Sequence, residues 1–100
     1  MVAPAVDIPK NELAAFCRQH QVTKLSLFGS VLRGDFSAAS DVDVLVEFEP
    51  GAVPGLRLID MQDQLSGIFG GRQVDLVTEK FLNRRIRAAV VRSALVVYEK

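Results

Sequence analysis

One hundred residues, 49% of them apolar, can bury roughly 60 to 70% of the surface the unfolded chain exposes, enough for one modest core, so a single domain over 1–100 is expected. Twelve Lys and Arg residues balance twelve Asp and Glu residues, which excludes a global field that would draw the chain to nucleic acid or an anionic membrane. The lone Cys17 excludes an internal disulfide scaffold, no apolar run reaches the roughly 18 residues of a membrane span, and MVAPAVDIPKNEL lacks a leader pattern, so a soluble cytoplasmic protein is expected.

The elements alternate along the chain. Pro9 suits a first helical turn, and Leu13, Phe16, Cys17 and His20 recur at helical spacing, which predicts a helix ending near His20. Lys24 to Phe28 alternates with period two and runs into Gly29, the pattern of a strand entering a tight turn. Asp41 to Phe48 alternates more clearly, with Val42, Val44 and Val46 on one face and Asp41, Asp43, Leu45 and Glu47 on the other. After the breaker cluster 49–55, Leu58, Met61, Leu65, Ile68 and Phe69 predict a helix stopped by Gly70-Gly71. Gln73 to Thr78 reads as a third strand, Leu82, Ile86, Ala89 and Val90 as one stripe of a final helix, and Leu95 to Tyr98 as an edge strand. The predicted fold class is α/β (α+β): a mixed sheet covered by helices, because the first two strands are joined too briefly for a full crossover.

The chemistry concentrates between Gly29 and Val46. Asp41 and Asp43 lie two apart on a strand, so their side chains leave one face with α-carbons about 6.5 to 7 Å apart. Neighbouring like charges repel and displace the β-branched residues a strand prefers, so such a pair calls for a compensating cation. Carboxylate oxygens are hard ligands suited to Mg²⁺, which completes its shell with water and substrate phosphates. Asp75, opposite in direction to Val74 and Leu76, is the candidate third ligand. Three such carboxylates can hold two Mg²⁺ ions, one on a triphosphate and one on an acceptor hydroxyl for in-line attack at the α-phosphorus, with Asp75 nearest the acceptor. Gly29 permits close backbone approach, Ser30 opening a short helix would cap it with amides facing a phosphate, and Arg33, one turn on, could reach the phosphate tail.

Gly29-Ser30, ten residues, then Asp41-Val42-Asp43 matches the signature of the DNA polymerase beta-like nucleotidyltransferase superfamily. The longer run Phe28 to Asp35 and Ser40 to Phe48, with Val74-Asp75-Leu76-Val77 and Arg85-Ile86 to Val96-Val97-Tyr98, resembles its minimal branch, the MNT proteins encoded beside HEPN-domain partners. The resemblance implies a mixed-sheet nucleotidyltransferase fold, Mg²⁺ dependence and a triphosphate donor, most often ATP. It further implies an antitoxin that transfers AMP to a hydroxyl, often a tyrosine, on a HEPN ribonuclease toxin. The chain has no room for a second, acceptor-holding domain, so a partner is expected to present the hydroxyl.

Blander readings apply elsewhere. His20 at a helix end reads as a cap-region residue, since no second histidine could join it at a metal. Cys17 reads as a small hydrophobe. Lys80, Arg84, Arg85, Arg87 and Arg92 read either as a solvated face or as a surface for an acidic partner; without interleaved aromatics, direct nucleic-acid binding is not expected. A non-catalytic module that neutralises the toxin by occupancy is the alternative to an enzyme, and homo- or hetero-oligomers are both compatible with the sequence.

Overall fold

A computed structural model describes residues 8–32, 41–52, 55, 57–79, 82 and 84–100, the side chains of Ser30, Val31, Arg84 and Ile86 excepted. The elements are α1 (Lys10–Gln19), β1 (Val22–Phe28), a 3-10 turn (Gly29–Leu32), β2 (Val42–Phe48), α2 (Arg57–Ile68), β3 (Val74–Thr78), α3 (Arg84–Ser93) and β4 (Leu95–Glu99). The predicted alternation is therefore present. Boundaries differ in detail: Pro9 is the N-cap of α1 rather than part of its first turn. Gln73 stops short of β3 and instead accepts a hydrogen bond from the Val42 amide at 2.8 Å.

The final helix departs further from the sequence reading. It begins at Arg84, so Leu82 lies before it, buried at 8% exposure. Ala89, assigned to its apolar stripe, is exposed. An alanine beside arginines offers too little apolar area to turn a helix face inward.

The strands form a single sheet in the order β3-β2-β1-β4. β1 is antiparallel to both β2 and β4, whereas β2 and β3 are parallel. One face carries Leu25 and Leu27 from β1, Val42, Val44 and Val46 from β2, and Val74 and Leu76 from β3. These pack with Leu13, Phe16 and Cys17 of α1 and Met61 and Leu65 of α2 in one buried cluster. Burial pushes the Cys17 thiol up to about 12, so it stays protonated and behaves as the hydrophobe its spacing suggested.

Two polar contacts fasten the helices. His20 Nε2 donates to Gln64 Oε1 at 2.6 Å, Arg57 Nη2 stands 3.4 Å from His20 Nδ1, and the imidazole lies against Phe16 at 4.7 Å between ring centres. A tautomer protonated at Nε2 satisfies both contacts. His20 thus ties the end of α1 to α2 and has a structural role, as expected. At the sheet edge, the Leu76 amide of β3 donates to Gln62 Oε1 of α2 at 2.9 Å. Gln62→Leu leaves that part-buried amide without its acceptor and is expected to lower unfolding free energy by about 1 to 2 kcal/mol. Urea denaturation measures this, and an unchanged midpoint would show that the bond contributes nothing.

The connections decide which face α3 occupies. The β2-α2-β3 crossover moves outward along the sheet with α2 on the clustered face; β3-α3-β4 runs back in the opposite direction to the far edge. Parallel crossovers are right-handed in almost all proteins, so reversing the direction starts α3 on the side of the sheet away from α2. Ser26 and Leu45 alternate onto that side and are 2% and 3% exposed, and Leu45 and Leu82 are buried outside the main cluster. Residues 33–40, 53–54 and 56 lie outside the described residues.

Candidate active site

The site grows from strand alternation. In β2 the valines at 42 and 44 turn into the core, so Asp43 turns to the other face. Val74 and Leu76 do the same for Asp75 in β3. The parallel register pairs Asp43 directly with Asp75, and neighbouring strands lie about 4.8 Å apart. Two carboxylates remote in sequence therefore stand side by side at the start of their strands. Asp41 sits just ahead of β2 and is exposed, as is Asp75, while Asp43 is half-buried.

On the other side of Asp43 stands β1, whose last residue Phe28 is its antiparallel register partner. Gly29 follows with φ of 76°, a left-handed backbone that L side chains avoid. Its α-carbon backs directly onto the Asp43 side chain: a methyl group there would overlap Oδ2 and stand 3.2 Å from Cγ. Glycine is required twice, by the backbone angle and by the carboxylate that occupies the space.

The described chain then makes a 3-10 turn over Gly29–Leu32, which starts at the left-handed Gly29, so Ser30 is its second residue rather than its cap. The Ser30 hydroxyl and all of Arg33 lie outside what the structure describes. Among the described residues, no three His, Cys, Asp or Glu side chains stand close enough to share one ion. The pair Asp43 and Asp75, with Asp41 two residues ahead, is an all-oxygen donor set of the kind Mg²⁺ takes.

The period-two alternation of β1 sets Ser26 and Phe28 on the face opposite Leu25 and Leu27, and only the register shows that this places Phe28 beside Asp43.

The chain and its fold have counterparts among known proteins. A family model described as nucleotidyltransferase domain matches residues 10–97, so the chain belongs to that family and is a nucleotidyltransferase. Protein adenylyltransferase MntA of Thermococcus cleftensis is 38% identical over 77 residues, covering 76% of this chain and 75% of that protein. A solved chain provisionally described as a minimal nucleotidyltransferase superposes with a TM-score of 0.71 at 35% identity, covering 86% of each chain. Two toxin-antitoxin crystal structures share the fold. One, with AMP-PNP, has a TM-score of 0.72 at 19% identity and covers 92% of this chain and 74% of its own. The other, an MntA-HepT complex, has a TM-score of 0.63 at 17% identity and covers 91% and 70%.

Proposed function

We propose that this chain transfers AMP from ATP to a hydroxyl, expected to be a tyrosine side chain, on a HEPN-type toxin, and so acts as its antitoxin. The observation that carries the reading is the placement of Asp43 between Gly29 and Asp75 on one face of the sheet. The adenylyltransferase of Thermococcus cleftensis, the AMP-PNP complex and the MntA-HepT complex support the donor, the reaction and the kind of partner.

Asp41, Asp43 and Asp75 would hold Mg²⁺. When bound, it offsets the triphosphate charge and favours in-line displacement at phosphorus. The residues of the chain do the rest. Gly29 lets the backbone approach closely, with Ser30 and Arg33 beside the phosphates. Asp75 accepts the proton of the acceptor hydroxyl as its oxygen bonds to the α-phosphorus. The bond from that phosphorus to the bridging oxygen breaks, and pyrophosphate leaves. Asp43, fixed by Gly29, keeps the reacting groups in register, where small displacements cost large factors in rate.

A thermal test reads the site without catalysis. Mg²⁺ with a non-hydrolysable ATP analogue, at about 100 times its dissociation constant, should stabilise the wild type by about 2.7 kcal/mol. For a chain of this size that is a rise in melting temperature of roughly 10 °C or more. Asp41→Asn with Asp43→Asn should abolish the shift. Equal shifts in both proteins would refute the assignment of these carboxylates.

A further inference from the structure

We propose that the outward face of α3 is the docking surface for an acidic segment of the protein that presents the acceptor hydroxyl. This rests on the reading that the acceptor is a protein. Three observations point there. The first is charge. Although the chain is neutral as a whole, residues 80–98 hold five of its basic residues and none of its acidic ones. The second is packing. Among the described residues no side chain of α3 is buried, whereas α1 and α2 both place residues in the core. The third is exposed apolar surface. Val91 in the last turn of α3 and Val96 at the start of β4 are two of the three large apolar side chains the described surface leaves most exposed.

The arginines do not act alike. Arg87 turns inward, with Nη2 donating to the Leu82 carbonyl at 3.4 Å. Arg85, Ala88, Ala89 and Arg92 are exposed at spacings of three and four, which sets them along one side of the helix. Arg85 and Arg92 stand two turns apart, about 10 Å, with only small side chains between them. That shape fits a partner segment that approaches closely at the alanines and offers carboxylates at both ends.

Position links the surface to the chemistry. β4 begins where Leu95 pairs with Leu27, next to Phe28 and Gly29, so the last turn of α3 ends at the site end of the sheet. A protein held on the last turn of α3 is thereby held at the same end of the sheet as the carboxylates.

The test measures binding and transfer separately, using as the probe a HEPN-type toxin of the kind proposed above as the acceptor. Arg85→Glu with Arg92→Glu, and Arg92→Glu alone, are compared with wild type by calorimetry and by rate of AMP transfer. The double variant should bind about tenfold or more weakly, the single variant should fall between, and the wild-type affinity should drop with added salt. Transfer at saturating partner should approach the wild-type rate. Unchanged affinity in both variants would overturn the docking surface while leaving transfer by the wild type intact. Loss of binding to a polyuridylate RNA, with partner affinity unaltered, would overturn it in favour of a nucleic-acid surface. A wild type that binds through α3 but transfers nothing would remove the catalytic reading and keep the surface.

Discussion

Asp41→Asn combined with Asp43→Asn is expected to lower the rate of AMP transfer by about 10³-fold or more, with fold and partner binding retained. Asparagine keeps the volume of aspartate and removes the charge a divalent cation needs, so the loss falls on the chemical step rather than on the core. The register adds a second expectation. Asp43 stands directly beside Asp75, and like charges opposite one another destabilise a sheet by a few tenths of a kcal/mol to about 1 kcal/mol. Without Mg²⁺ the double variant should therefore be as stable as wild type or slightly more so. Single-turnover kinetics paired with urea denaturation measures both quantities, and transfer at the wild-type rate would exclude these carboxylates from catalysis.

Gly29→Ala should be less damaging to activity than that and more damaging to the fold. A non-glycine residue held at a φ of 76° costs on the order of 1 to 3 kcal/mol. The added methyl must also displace the Asp43 carboxylate it would overlap. A shift of this size in a reacting group reduces rate by about 10²-fold. Gly51→Ala separates the two effects. Gly51 has a φ of 86° with nothing within 4 Å of the position a methyl would take, so its variant should lose stability through strain and keep its rate. Equal activity in the two alanine variants would mean that contact with Asp43 is irrelevant to the chemistry.

Much of the site was legible because it is written in strand alternation. Asp41-Val42-Asp43 declares its face in three residues, and Val74-Asp75-Leu76 does the same, since the apolar neighbours of each aspartate must turn to the core. The pairing of Asp43 with Asp75 was only inferable as an adjacency; a one-residue change in register would have sent the two carboxylates to opposite faces. The contact between Gly29 and Asp43 depends on the antiparallel register of β1 with β2 and on a backbone angle that sequence gives only as the presence of glycine. Long-range polar contacts left no trace in the sequence, as with His20 and Gln64, 44 residues apart. In α3, helical spacing drew Leu82 into a helix that starts later, because a short apolar pattern next to a run of arginines carries no start signal of its own.

Intact-mass spectrometry of a HEPN-type toxin, the proposed partner, after incubation with this chain, ATP and Mg²⁺, tests transfer most directly. The partner should gain one or more AMP units, and the gain should vanish when the Asp41→Asn, Asp43→Asn variant replaces the wild type. An unmodified partner held in a stable complex would contradict nucleotidyl transfer and leave an antitoxin that works by occupancy alone.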